Sequence, residues 1–237
     1  MYIDMSYVIL VLPFVIFSLI CSARVNSTFQ RFSKQHSIRR ITGAQAAQRV
    51  LSANGVSGVK IERVSGNLTD HFDPRSNVIR LSDDVYNSTS TAAIGVACHE
   101  AGHAVQYAQS YGPIKLRAAI IPVTSIGSKL AMPLILLGVV LSVFSEYSYG
   151  LVYVGIACFA LSLIFQLVTL PVEFNASNRA LRAIEDGNIL TEEEQKGAKK
   201  VLRAAAMTYV AATAVALMQL LRLIMIFGGG GGRRRRN

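Results

Sequence analysis

Val96–Ala108 reads VACHEAGHAVQYA. Two histidines four residues apart on a helix stand on one face, a turn apart, so both rings can reach a single ion. Glu100, directly after His99, lies on the adjacent face, where it misses the ion but can touch a water beside it. This spacing suits a hydrolytic zinc site. Two neutral imidazoles hold the metal, the pKa of water on it falls towards ~7, and the carboxylate takes the proton as the water attacks a polarised carbonyl. The competing reading is a helix with two surface histidines. Almost every other residue of the stretch is small or apolar, however, and would give two buried histidines no partner. His99 and His103 are therefore candidate ligands and Glu100 the candidate general base. Cys98 is not counted with them, because on a helix it points about 100° away from His99.

Catalytic zinc usually takes three protein ligands and leaves one position open. No histidine follows His103, which leaves His36, His71 and the acids. The order of apolar segments points to Glu173. HEAGH shortly precedes one such segment, that segment and the next would form a hairpin, and the chain re-emerges on the same side at LPVEFNASNRA. At Glu173 a second reading stays open: an acid that opens a helix and favours its dipole. Ala176, Ser177 and Ala180 would let this helix pack on Ala101 and Gly102. Such close packing would explain a glycine that costs about 1 kcal/mol relative to alanine inside a helix.

The elements that must position these groups are largely membrane elements. Of 237 residues, 51% are hydrophobic, and the mean hydropathy is positive. Residues 6–23 carry no charge, and residues 149–172 are uncharged and exceed the ~20 needed to cross a bilayer. Residues 118–144 are long enough too, with Lys129 near an interface or in a polar cavity. Residues 204–227, carrying Arg222, form a fourth candidate. The first segment has no basic leader and is too long for a signal core, so it reads as an uncleaved anchor.

The net charge of +10 follows membrane sidedness. Twelve Lys and Arg fall between Arg24 and Arg117, six between Arg179 and Arg203, and none in the turn SEYS. The positive-inside rule then puts both basic stretches in the cytoplasm, and the amino terminus and SEYS outside. RRRRN at the carboxyl end runs against this if the fourth segment crosses fully. The basic residues are not interleaved with stacking aromatics, so no nucleic-acid partner is expected. Cys21 and Cys158 sit in apolar segments, and the three cysteines suggest no disulfide framework.

Between the first two spans the texture changes. Thr42 caps a short amphipathic helix ending at Asn54-Gly55. VKIERV and VIRLS read as strands, with turns at SGNLTD and at Asp73-Pro74. Residues 88–110 form the motif helix, with Gly112-Pro113 as its stop. Asn77–Leu81 is the candidate sheet edge for holding an extended peptide, ordinary inner sheet being the alternative. His71, Tyr107, Arg179 and Tyr209 are considered as oxyanion donors, and none is assigned that role.

HEAGH, the two-span hairpin and LPVEFNASNRA, together with DHFDPRSNVIRLS and LMQLLRLIMIFG, resemble the bacterial family of multi-pass neutral zinc metallopeptidases over nearly the whole chain. More distantly the layout is similar to membrane gluzincin peptidases. The resemblance implies a zincin-like core with His99, His103 and Glu173 as Zn2+ ligands and Glu100 as base. It also exposes a departure: where gluzincins place an Asp four residues after the ligand Glu, this chain has Ser177, with Asn175 and Asn178 as other substitutes.

The expected molecule is a mainly α, α+β protein of the cell membrane: a zincin-like helical core and small sheet packed on about four transmembrane helices. Its parts are an anchor (1–23), a cytoplasmic region with the motif helix (24–117), a transmembrane hairpin (118–172), cytoplasmic helices carrying the third ligand (173–203), a fourth membrane or buried helix (204–227) and a flexible Gly/Arg tail (228–237). The expected activity is hydrolysis of peptides or membrane proteins at a cytoplasm-facing site beside the lipid bilayer. A zinc-binding scaffold without turnover, or a transporter built on Lys129 and Arg222, is the alternative.

Overall fold

A computed structural model describes residues 4–228, so residues 229–237 of the expected tail and 1–3 of the anchor lie outside the described residues. A π-helical turn at Tyr7–Val11 leads into α1 (Leu12–Ser33). Then come α2 (Gly43–Ala53), β1 (Lys60–Val64), β2 (His71–Asp73), β3 (Val78–Ser82) and the single turn α3 (Asp83–Tyr86). The motif helix is α4 (Thr91–Ala108), followed by α5 (Gly112–Leu141), α6 (Tyr149–Asp186) and α7 (Glu192–Gly228). The chain is thus mainly helical with one small sheet, as its sequence suggests. It divides into two compact units.

One unit comprises residues 21–115 and 170–208. Thr42 and Gln45 form a reciprocal capping box that starts α2. Ala46, Ala47, Val50 and Leu51, at helical spacing, are buried, and α2 lies along α4. The strand order is β1-β3-β2, with β1 parallel and β2 antiparallel to β3. Asn77–Leu81 is therefore not an edge: β3 is the central strand. Val78, Ile79 and Leu81 are buried, and such a strand is stabilised by ladders on both sides. β1 and β2 are the edges. In the β2–β3 turn Asp73 accepts from Arg75 N–H at 3.0 Å and from the Ser76 hydroxyl at 2.7 Å.

Ser90 caps α4, its hydroxyl accepting from Ala93 N–H at 3.2 Å. The helix stops at Ala108, before the expected Gly112-Pro113, which instead opens α5. Proline fits a first helical turn, where its missing N–H has no intrahelical partner to lose. A further difference concerns Glu173, which lies well inside α6 and does not open a helix. Pro171 forfeits one backbone bond there without breaking the helix. The helix-dipole reading of Glu173 falls with that observation. Likewise the helix begun by Glu192, Glu193 and Glu194 runs on through the fourth apolar segment as one element, α7. Glu194, 4% exposed, accepts from Thr191 N–H at 2.9 Å and from Ile38 N–H at 2.7 Å. It thereby caps α7 and fixes the loop after α1.

The other unit takes residues 116–169 and, among the described residues, 4–20 and 209–228. Here α5 and α6 pack so closely that a side chain at Gly155 would stand 2.8 Å from the Ala131 carbonyl oxygen, the small-residue contact usual between helices in lipid. Asp4 pairs with Arg222, whose guanidinium lies 5.5 Å from the Tyr7 ring centre. Tyr153 donates to the Phe227 carbonyl at 3.3 Å. The end of α7 therefore stands beside the π-helical turn that precedes α1 and the first turns of α6, and within this unit α7 does not double back. Lys129 lies on the exposed surface of α5, not in a polar cavity. The helices at 7–33, 112–141, 149–186 and 192–228 are each long and apolar enough to cross a membrane. Val143 and Phe144, 82% and 83% exposed, belong to a large uncovered apolar surface, which calls for lipid.

Candidate metal centre

α4 can bring its histidines against another helix because most of its buried face has little side chain. Ala97, Ala101 and Ala104 are buried beside Gly102. A side chain at Gly102 would stand 2.7 Å from the carbonyl oxygen of Ala176 in α6. That contact is the close approach the glycine suggests, and it sets α6 one turn past Glu173 directly against the HEAGH turn.

Across this junction the Nε2 atoms of His99 and His103 lie 3.3 and 3.5 Å from one oxygen, Oε2 of Glu173. The three ligand atoms are all within 4.8 Å of one another. In a tetrahedral site with bonds of about 2.0–2.1 Å, neighbouring donors stand about 3.4 Å apart. The donor set and its spacing therefore fit zinc. Glu173 is 2% exposed, and the two imidazole side chains are 15% and 12% exposed. A carboxylate so buried needs a positive partner, a requirement that a divalent ion between these donors meets.

Each ring is also held from behind. Nδ1 of His99 is 3.2 Å from the Ser177 hydroxyl, so the residue in the place of the gluzincin Asp does reach a motif histidine. Nδ1 of His103 is 3.0 Å from Oε1 of Gln106. Burial works against a charge on His103, but the Glu173 contact and the nearby Glu100 outweigh it and hold its pKa above the ordinary imidazole value. Glu100 is 8% exposed on the neighbouring face of α4. The charge of Glu100 is felt at His103 and at Asp70.

The remaining candidates go elsewhere. His36 faces Thr89, its Nδ1 3.1 Å from the hydroxyl. Nδ1 of His71 is 2.8 Å from the Thr69 carbonyl oxygen. Arg179 donates to Asn175 at 2.7 Å and to Gln109 at 2.6 Å. The Tyr107 ring packs 5.6 Å from that of Phe72, and Tyr209 belongs to the other unit. Cys98 is fully buried in the core, and burial pushes its thiol up.

Sequence reasoning missed two residues. Gln106 is completely buried. Its only sequence signal is a polar group three residues after His103, on the same face of an apolar helix. Asp70, just before β2, accepts from Ser82 N–H at 2.7 Å and from its hydroxyl at 3.0 Å. Burial pushes its carboxyl up against the pull of those bonds. Nothing local marks it, since its partner is twelve residues on.

Apolar helices of spanning length, with two imidazoles and a buried carboxylate converging from two helices, describe a membrane protein with a candidate metal centre. The chain belongs to the family described as "Putative neutral zinc metallopeptidase", whose profile matches residues 7–228. It is 44% identical over 174 residues, 73% of this chain and 75% of the relative, to "Putative membrane protease YugP" of Bacillus subtilis (strain 168). No solved structure matches it. Zinc is the family's metal, and both the relative and the four apolar helices place the chain at a membrane.

Proposed function

We propose that this chain is a membrane zinc endopeptidase in which His99, His103 and Glu173 hold the metal and Glu100 is the general base. The observation that carries this reading is the convergence of both Nε2 atoms on one buried Glu173 oxygen, with Glu100 on the same helical turn. Bound zinc supplies Lewis acidity, which makes water nucleophilic near neutral pH and polarises the scissile carbonyl. Glu100 takes the proton from the attacking water and passes it to the leaving amine. Glu173 and the two imidazoles keep the donor set in place, while Ser177 and Gln106 hold the rings.

The peptide lies along β2. That strand is laddered to β3 on one side and sits at the edge of the sheet, next to α4. An edge strand offers main-chain hydrogen bonds that fix an extended peptide without demanding a particular sequence. With eighteen Lys and Arg between residues 24 and 117 and between 179 and 203, the site faces the cytoplasm. Its substrates are peptides or membrane proteins presented at the bilayer.

Metal analysis with a casein-type turnover assay tests this. Glu100→Gln should keep stoichiometric zinc and lose turnover by about 10²–10⁴-fold, whereas His99→Ala and Glu173→Ala should lose both. Wild-type cleavage by Glu100→Gln would remove its role as base. Metal retained in Glu173→Ala would reassign the third ligand. A zinc-loaded wild type with no turnover would favour the scaffold.

A further inference from the structure

We infer that Gln106 is a positioning residue that fixes the tautomer of His103, leaving its Nε2 unprotonated and aimed at the metal; this rests on the zinc reading above. Gln106 is completely buried in α4, so each of its polar atoms must be satisfied by protein. Its amide nitrogen lies 2.8 Å from the Val172 carbonyl oxygen and 3.0 Å from Oδ1 of Asn175. Oδ1 of Asn175 is identified as oxygen because Arg179, which can only donate, donates to it at 2.7 Å. The Gln106 nitrogen therefore donates twice, and its orientation is settled: reversing the amide would set its oxygen against two acceptors.

With the nitrogen committed, Oε1 is the atom that faces Nδ1 of His103, at 3.0 Å. A carboxamide oxygen only accepts, so Nδ1 must carry the hydrogen. In the neutral ring Nε2 is then the lone-pair nitrogen, and it is the atom 3.5 Å from Glu173 Oε2. The Ser177 hydroxyl behind His99 imposes no such choice, because a hydroxyl can donate or accept. The two histidines thus differ: one ring is set by a relay running Arg179–Asn175–Gln106–His103, the other is merely supported. The relay also grips the Val172 carbonyl, on the residue before Glu173, so one side chain fixes both a ligand on α4 and the turn of α6 that supplies the third.

Two measurements test this. In zinc-free Glu173→Ala, where no carboxylate competes for a proton on Nε2, long-range ¹H–¹⁵N correlation on the neutral His103 ring should show the Nδ1–H tautomer, a readout that a purely packing role would not determine. Zinc affinity, measured by competition with a chromophoric chelator, should fall about 10–100-fold in Gln106→Met. Gln106→Glu, whose neutral carboxyl can still accept from Nδ1 but has one hydrogen for the two acceptors Val172 and Asn175, should fall between wild type and Gln106→Met. A dominant Nε2–H tautomer, or wild-type affinity in Gln106→Met, overturns the inference. The tautomer measurement decides the matter even if Gln106→Met fails to fold. Zinc retained by His99→Ala would instead overturn the zinc reading itself.

Discussion

At the scale of single residues, the centre sits among groups whose charge states are set by burial. Asp70 carries a carboxyl pushed upwards chiefly by desolvation, although Ser82 donates to it twice. Between the ordinary carboxylate value of about 3.9 and its raised value, the folded chain keeps a proton that the unfolded chain has lost. Stability must therefore fall as pH rises through that window and level off above it. Asp70→Asn keeps an acceptor for Ser82 N–H and removes the ionisation. Melting of zinc-free protein from about pH 4 to 7 should show the variant gaining on wild type as pH rises. A constant difference would show that Asp70 is not the source. The motif was legible at this scale because its chemistry is local: two imidazoles and a carboxylate within one helical turn need no tertiary information. Gln106 and Asp70 were not, because only their buried partners distinguish them from ordinary polar residues.

At the scale of elements, the site is a junction of α4 and α6, and Gly102 is its closest point. Gly102→Ala would drive a methyl into the Ala176 carbonyl. That should cost about 1–3 kcal/mol, as overpacking does, and should move Glu173 away from both imidazoles. Melting temperature and bound zinc should fall together. Unchanged zinc content would mean that α6 can shift without carrying Glu173 off. Helix and strand types were readable here from period and capping: Thr42 as the cap of α2, its small and apolar positions at helical spacing, and the alternation of VKIERV. Strand order was not. β3 looks like any short apolar strand, and only the pairing of β1 and β2 on its two sides puts it in the centre. The length of α6 was hidden for a related reason. Pro171 and Glu173 resemble a helix start, yet packing against α4 and the apolar stretch before them carries one helix through both.

At the scale of the whole molecule, the charge distribution and the apolar helices make a prediction about sidedness. The basic stretches should lie in the cytoplasm and the turn between α5 and α6 outside. A single cysteine placed in a background lacking the three native ones reads this out. Tyr147→Cys, at a 96% exposed position, should react with an impermeant thiol reagent in intact cells. Lys199→Cys, on the exposed surface of α7, should react only after permeabilisation. The reverse pattern would invert the membrane orientation and remove the cytoplasmic site.

The sequence by itself determined the membrane character, the helical class, the presence of a small sheet and the candidate pair of metal-ligating histidines with their adjacent carboxylate. These follow from composition, from periodicity and from spacing within a single helical turn. Tertiary structure alone decided that Glu173 meets both Nε2 atoms, that Ser177 and Gln106 back the two rings, and which strands are the edges. Each joins groups distant along the chain, or one whose partners are, and no local pattern encodes a contact that exists only once α4, α6 and the sheet have packed.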